Sequence, residues 1–256
     1  MTQSVLGLAS GMLVGFSLGL VGGGGSILAV PLMVYVVGVP EPHVAIGTSA
    51  IAVALNAAAN LATHAWAGNV KWRCATVFAT SGVAGAFLGS TLGKMMDGHK
   101  LLALFAVLMM VVGALMLRDR ARTGDPAVTL SRENFPKLVG LGLSAGLLSG
   151  FFGIGGGFLI VPALMLAAGM PILNAIGSSL VSVTAFGLTT AGNYAWSGLV
   201  DWPLAGLFVA GGVLGGLLGA RAAKSLSGRR GALTTAFAAL IFLVALYMLM
   251  HTFNLI

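Results

Sequence analysis

Apolar stretches separated by short polar turns make up almost the whole chain, and each half contains five of them. Their lengths suit helices, since roughly 20 apolar residues span a bilayer, but the second stretch of each half has only about 13. The pattern predicts apolar helices at 4–20, 26–38, 43–66, 73–93 and 100–117, and then at 137–152, 156–169, 173–197, 203–220 and 231–250.

The composition places these helices in a membrane. The chain is 58% hydrophobic and only 7% charged, whereas a soluble domain has about a quarter charged residues. No charge occurs before Glu41 or between Lys137 and Asp201. We therefore expect an all-α polytopic membrane protein. Its net charge of +7 lies in the short loops, which indicates membrane topology rather than nucleic-acid binding.

The two halves have matching sequences. An offset of 131 residues pairs their glycines and prolines, and after a one-residue gap an offset of 130 pairs their tryptophans. We predict a first membrane repeat at 1–117, a cytoplasmic linker at 118–136 and a second repeat at 137–256. The matched pairs include Gly11 with Gly142, Gly15 with Gly146, Pro31 with Pro162, Trp66 with Trp196 and Trp72 with Trp202.

The basic residues predict the orientation of the two repeats. Lysine and arginine are enriched in short cytoplasmic loops, and they concentrate in the linker and in the loop 221–230. Five segments per half put both of these on the cytoplasmic side and turn the second repeat upside down relative to the first. The loop from Lys94 to Lys100 departs mildly from the rule. Inverted repeats are typical of secondary transporters.

Each repeat carries glycines four residues apart that lead into a cluster of glycines. The ladder Gly11, Gly15 and Gly19 is explained by close packing of helices. The clusters that follow strongly disfavour a continuous helix, and a helix that restarts after a break offers unpaired N–H groups to an anion. A kink without a ligand is the alternative. The predicted backbone donors are Gly24, Gly25 and Ser26, and Gly155, Gly156 and Gly157.

Polar side chains inside the apolar segments are the other candidates. The hydroxyls of Thr48, Ser49, Ser178 and Ser179 either add donors to an oxyanion or bond back to their own helices. Asn56 is either a substrate contact or a bond between helices. His64 is the histidine well inside a long segment, and it is a residue for proton coupling or an interfacial polar group.

Enzyme chemistry and metal binding have no support in the sequence. No Asp or Glu lies within an apolar segment, no phosphate-binding loop or zinc protease motif occurs, and no acid and base form a pair. A single cysteine, Cys74, excludes an internal disulfide, and four scattered histidines argue against a metal site. We expect no cofactor and no enzymatic activity.

The glycine ladder, the Gly-rich break before Pro31 and the stretch Ala45 to Ser49, each with its second copy, resemble the TauE/SafE sulfite exporter family. The resemblance covers residues 5 to 250. It implies a multi-pass permease of the bacterial inner membrane for sulfite, sulfoacetate or related organosulfur anions, exported by some members and imported by others. The breaks differ, reading Gly-Gly-Gly-Gly-Ser and Gly-Ile-Gly-Gly-Gly, so their equal contribution is open.

Together these patterns favour export of a small sulfur-containing anion by alternating access around a site between the two breaks. An anion channel would use the same breaks, and a non-transporting membrane partner in sulfur trafficking is a further alternative. The sequence leaves open the exact anion, the direction, the coupling ion, a homodimeric state, and whether 26–38 and 156–169 cross the membrane or re-enter it.

Overall fold

The computed structural model describes residues 2–118, 125, 128–225 and 230–252, and every regular element in these ranges is helical. The fold is that of an all-α polytopic membrane protein, as predicted. The elements in chain order are α1 (Thr2–Val21), a 3₁₀ helix (Gly22–Leu28), α2 (Ala29–Pro31), a π-helical turn (Leu32–Val36), α3 (Pro42–Trp66), α4 (Trp72–Met95), α5 (Gly98–Arg118), α6 (Phe135–Phe152), α7 (Gly157–Ala168), α8 (Ile172–Trp196), α9 (Trp202–Ser225) and α10 (Arg230–Thr252).

Six of the described helices are long and apolar enough to cross a membrane. Shorter apolar helical stretches, of 10–17 residues, include the two segments that follow the glycine clusters. The six long spans are Thr2–Leu20, Pro42–Trp66, Trp72–Met95, Phe135–Phe152, Ile172–Trp196 and Trp202–Gly219.

Local sequence accounts for several helix ends. The carboxylate of Asp97 accepts a bond of 3.0 Å from the N–H of Lys100 and so caps the start of α5. This bond is the main reason that the pKa of Asp97 lies below its ordinary value. Asp201 caps α9 in the same way through the N–H of Leu204, at 3.0 Å. At the end of α6, Gly153 adopts φ +68 and stops the helix.

Glycine seams join α1 to α9 and α4 to α6. A Cβ atom on Gly15 would overlap the carbonyl oxygen of Gly212, and one on Gly146 would overlap that of Gly82. Glycine therefore lets the two backbones touch, which is how membrane helices pack closely. Residue numbers rise together along both seams, so each pair runs parallel. Further contacts of this kind join Gly11 to Phe208, Gly215 to Met12, Gly142 to Phe78 and Gly89 to Leu147.

The central helices α3 and α8 run in opposite directions. Gly47, near the start of α3, lies against Leu199, just beyond the end of α8, and Gly177, near the start of α8, lies against Asn69, just beyond the end of α3. Because α3 and α8 occupy equivalent positions in the two halves, this antiparallel pair supports the inverted repeat. The inversion of the halves as a whole stays a prediction.

The broken segments carry the chain back through the bundle. Helix α3 runs parallel to α9, since Asn56 lies against Gly212 and Asn60 against Gly216, and α1 also runs parallel to α9. The chain must therefore return from one end of the bundle to the other between α1 and α3. The same holds between α6 and α8, which both run parallel to α4. These directions favour crossing over re-entry for both short segments.

Basic residues gather at one end of this arrangement, which we call the basic end. It carries the turn between α3 and α4, the start of α6 and the end of α9. The opposite end carries the starts of α3 and α9 and the turn between α4 and α5. Residues at the basic end include Lys71, Arg73, Arg132, Lys137 and Arg221, and those at the opposite end include Glu41, Lys94, Asp97, Lys100 and Asp201.

Part of the predicted linker 118–136 lies outside the described residues. So do three of the basic residues that orient the chain, Arg120, Arg122 and Arg229.

The exposed tryptophans lie at the two ends of the bundle. Trp66 is 88% exposed at the basic end and Trp196 is 94% exposed at the opposite end. Such placement is typical of aromatic belts at the two membrane interfaces.

Substituting Gly146→Ala should destabilise the protein, because the new Cβ forces α6 away from the backbone of α4 at Gly82. Overpacking of this kind costs about 1–3 kcal/mol. The matched control is Gly140→Ala on the same helix, where a Cβ meets nothing within 4 Å and alanine favours the helix. Thermal unfolding of the purified protein in detergent measures both. Equal stabilities for the two variants would contradict the seam.

Candidate functional site

The first glycine-rich break packs against the helix that follows the second one. The 3₁₀ helix Gly22–Leu28 contacts both α7 and α8, and the second break, residues 153–156, joins α6 to α7. Residues 152–158, which include the second break, are buried, with Ile154 at 0% and Phe158 at 3% exposure. That the two breaks form one shared site stays a prediction.

The first break is wound into a helix. Gly24, Gly25 and Ser26 all belong to the 3₁₀ helix Gly22–Leu28, in which backbone N–H groups bond to carbonyls three residues earlier. Gly25 packs against the backbone of Leu18 in α1, and Ser26 is fully buried. Since a wound backbone uses its own donors, this break presents fewer of them than an open one.

The second break is an open, left-handed turn. Gly153, Gly155 and Gly156 have φ of +68, +66 and +67, a conformation that costs other residues roughly 1–2 kcal/mol. The N–H of Ile154 bonds to the carbonyl of Ser149 at 3.2 Å, which closes the end of α6 as a Schellman motif. Only the side chain of Ile154 interrupts the glycines.

This turn leaves a run of backbone donors free. The N–H groups of Leu159 and Ile160 both bond to the carbonyl of Gly156, at 2.9 and 3.0 Å. The four preceding residues, 155–158, have no hydrogen-bond acceptor for their N–H groups among the residues described. Buried backbone donors are paired in more than nine cases out of ten, so four in a row mark an exception.

A hydroxyl group joins these donors. Ser149 on α6 is fully buried, and its Oγ has no partner in the part of the chain that the structure describes. It lies beside Gly156, where a Cβ would come within 2.8 Å of that oxygen. Val53 and Val183 cover Gly155 from α3 and α8. We call the N–H groups of 155–158 together with Ser149 Oγ the second-break nest. Consecutive N–H groups at a helix start form a concave anion site.

Thr48 and Ser178 do not join the nest. The N–H of Asp201 donates to Thr48 Oγ1 and that of Lys71 donates to Ser178 Oγ, each at 2.9 Å. The two hydroxyls thus hold loops at opposite ends of the antiparallel α3–α8 pair. The 18 residues from Thr48 to Trp66 rise about 27 Å, so one small anion cannot contact both. We therefore leave both hydroxyls out of the site proposed below, and their role in binding stays a prediction.

Ser49 and Ser179 bond back to their own helices, to the carbonyls of Ile46 at 3.0 Å and Ile176 at 2.8 Å. This is the alternative that the sequence left open for them. Asn56 is different, because it is fully buried and both polar atoms of its amide lack a partner. It lies against Gly212 of α9, one turn of α3 beyond Val53, which borders the nest.

His64 lies at the basic end and not beside the breaks. Its Nδ1 is 3.5 Å from Nδ2 of Asn69. It is 11 residues from Val53 on α3, which is about 16 Å along the helix. A proton on His64 therefore cannot transfer directly to a group in the nest, and the interfacial interpretation fits its position.

Sequence reasoning missed Ser149 and also Ser182, whose buried hydroxyl lacks a partner. Both had a signal, because Ser149 lies within the glycine ladder of α6 and Ser182 follows Ser178 by one helical turn. What hid them was the absence of a matching hydroxyl in the first repeat, where Leu18 and Ala52 stand. Among the described residues, no three His, Cys, Asp or Glu side chains group to hold a metal ion.

The six long apolar helices described above define the class as a multi-pass membrane protein. A profile of the family described as "Sulfite exporter TauE/SafE" matches residues 7–248. The chain belongs to the TauE/SafE family. This membership, and the names of its relatives, indicate a membrane transporter rather than an enzyme.

Three relatives illustrate the similarity. A "Probable membrane transporter protein" of Xylella fastidiosa strain Temecula1 is 53% identical over 96% of this chain and 94% of its own. The "Probable membrane transporter protein YunE" of Bacillus subtilis is 29% identical over 84% and 85%. A "Probable membrane transporter protein" of Haemophilus influenzae is 33% identical over 70% and 68%. No solved structure matches the chain.

Substituting Ser149→Ala should stabilise the empty protein by about 1 kcal/mol, because it removes a buried hydroxyl that has no partner. The matched control is Ser179→Ala, which removes a bonded hydroxyl and should cost about 0.5–1.5 kcal/mol. Chemical unfolding in detergent without added anions compares the two. A Ser149→Ala variant that is less stable than the Ser179→Ala variant would show that Ser149 has a partner.

Proposed function

We propose that the protein transports a small sulfur-containing oxyanion, such as sulfite or an organosulfonate, by alternating access around the second-break nest. The observation that carries the proposal is the run of four buried N–H groups without acceptors, completed by Ser149 Oγ. The family's name as a sulfite exporter family supports the class of anion, and the nest offers donors that suit its oxygens.

The chemistry of the nest suits an oxyanion. Hydrogen bonds to a charged acceptor contribute about 1.5–3 kcal/mol each, and they strengthen when water is excluded by walls such as Val53 and Val183. The start of α7 adds the positive end of the helix dipole. The nest contains no cationic side chain, so the anion is held without an ion pair and can leave again.

The position of the nest suits alternating access. Helix α7 runs for 12 residues from the nest to Gly169, which is about 18 Å, so the nest lies well inside the bundle. Gly169 in turn accepts a bond of 2.9 Å from the N–H of Asp125 in the linker. The antiparallel α3–α8 pair packs around the nest at this position. If one repeat tilted against the other, the anion there would become accessible from one side of the membrane or from the other.

We propose export from the cytoplasm across a bacterial inner membrane. Lysine and arginine favour the cytoplasmic side, which assigns the basic end to the cytoplasm and the opposite end to the outside. A membrane potential negative inside then drives an anion outward with about 2.3 kcal/mol per elementary charge and 100 mV.

Purified protein in proteoliposomes should give saturable flux of radiolabelled sulfite, accelerated by unlabelled sulfite on the other side. Sulfate, thiosulfate and sulfoacetate serve as competitors that rank the substrates. Flux that does not saturate and shows no counterflow would indicate an anion channel. Absence of flux for every anion, with folded protein in the vesicles, would contradict transport and favour a non-transporting partner.

Substituting Ser149→Ala should lower sulfite transport by about tenfold to a hundredfold, the equivalent of one hydrogen bond to a charged group. The matched control is Ser178→Ala. Ser178 is also a buried serine, but its Oγ accepts a hydrogen bond from the N–H of Lys71 and lies outside the nest. This variant should retain a rate near that of the unchanged protein. Equal rates for the two variants, measured at equal amounts of folded protein, would remove Ser149 from the site.

A further inference from the structure

A second polar cluster lies at the end of the bundle opposite the basic end. Lys94 at the end of α4 donates three hydrogen bonds to α8 and the residue after it, to the carbonyl of Asn193 at 2.9 Å, to Asn193 Oδ1 at 2.7 Å and to Ser197 Oγ at 2.8 Å. All three acceptors are neutral. The ammonium group therefore has partners but no compensating negative charge among the residues described.

Two polar atoms on side chains at this end are buried and have no partner among the residues described. They are the hydroxyl of Tyr194 on α8, a residue that is 0% exposed, and Nδ1 of His43 in the first turn of α3. The two rings have their centroids 6.2 Å apart, and Lys94 Nζ lies 5.8 Å from the centre of the Tyr194 ring. Three helices thus bring the ammonium group of Lys94 close to the ring of Tyr194, and that ring close to the ring of His43.

The hydrogen bond on the other side of His43 defines what its free atom can do. Nε2 of His43 lies 3.1 Å from the carbonyl oxygen of Met96. A carbonyl oxygen only accepts, so Nε2 carries the hydrogen. Nδ1 of the neutral ring is then an acceptor, whereas the hydroxyl of Tyr194 is free to donate.

A donor and an acceptor beside a cation suit an oxyanion that brings one proton. A hydrogen-bearing anion such as hydrogen sulfite accepts from Tyr194 and donates to His43. If His43 carries the proton instead, both side chains donate to the dianion. The total is the same in either case, namely one oxyanion and one proton. The uncompensated charge of Lys94 favours the negative ligand in both.

The repeat partner of this cluster lacks the same groups. The positions that correspond to Tyr194 and Asn193 in the first repeat are His64 and Thr63, so no tyrosine hydroxyl or side-chain amide stands there. The other ionisable groups described at this end are Asp201 before α9, which is partly buried, and four exposed groups, Glu41 before α3 and Asp97, His99 and Lys100 around the start of α5. The cluster is therefore specific to the outer end.

We propose that Tyr194, His43 and Lys94 form a second anion site at the outer mouth of the transporter, which takes one small oxyanion together with one proton. The class of ligand rests on the proposed function. The site is separate from the second-break nest and identifies His43, rather than His64, as the residue through which a proton accompanies the anion.

Calorimetric titration of the full chain in lipid nanodiscs with sulfite tests this site. The unchanged protein should show two classes of site, and Tyr194→Phe or Lys94→Gln should weaken one class at least tenfold while Ser149→Ala weakens the other. Lys100→Gln is the control, since it removes an exposed lysine at the same end and should change neither class.

The proton gives a second readout. Repeating the titration in two buffers of different ionisation enthalpy should show uptake of one proton per sulfite at the outer site, when hydrogen sulfite and sulfite in solution are accounted for. Outer-site affinity should fall as pH rises, by up to about tenfold per pH unit. His43→Gln should abolish this proton uptake, and His64→Gln should not.

Distinct results overturn the two proposals. One result is a single class of sulfite site that Ser149→Ala weakens and Tyr194→Phe leaves unchanged. It would mean that the outer cluster holds only an ordered water, and the proposed function would remain. Two classes without proton uptake would equally contradict the outer site as proposed. No sulfite binding by the unchanged protein would contradict both.

Discussion

A bilayer offers no hydrogen-bond partner to a freed backbone group, and the structure depends on this constraint. The second break leaves four N–H groups in succession without acceptors among the residues described, so it must be surrounded by protein rather than lipid. The glycine seams between α1 and α9 and between α4 and α6 build that surrounding protein, because they let long helices approach until backbones touch. Glycine thus has two separate uses here, as the residue of the seams and as the residue of the left-handed turn.

The duplication does not make the two breaks alike. The first break is a 3₁₀ helix that runs on from α1, whereas the second combines three left-handed glycines around the fully buried Ile154. The pairs Asn56 with Phe186, Ser149 with Leu18 and Ser182 with Ala52 differ in the same way. Two repeats that share a scaffold but differ in polar residues can bind one ligand with unequal contacts. They can also present different groups at the two faces of the membrane. The outer cluster at Lys94 is a further example of such a difference.

The sequence predicted the scaffold well because apolar runs, glycine spacing and paired tryptophans report directly on helices in lipid. The observed helices begin and end within a few residues of the predicted segments. It named Gly155, Gly156 and Gly157 of the nest, but it left open whether Gly24 and Gly25 contribute equally. The hydrogen-bond partners of the Thr48 and Ser178 hydroxyls could not be predicted either. These partners, the N–H groups of Asp201 and Lys71, are more than 100 residues away in sequence.

The central claim is that one break, and not both, binds the anion. An experimental structure of the protein with selenite, a heavier oxyanion of the same shape as sulfite, tests it most directly through the anomalous signal of selenium. The account predicts a selenium peak within hydrogen-bond reach of the N–H groups of 155–158 and of Ser149 Oγ. A peak at the 3₁₀ helix Gly22–Leu28 instead, or equal peaks at the two breaks, would contradict it.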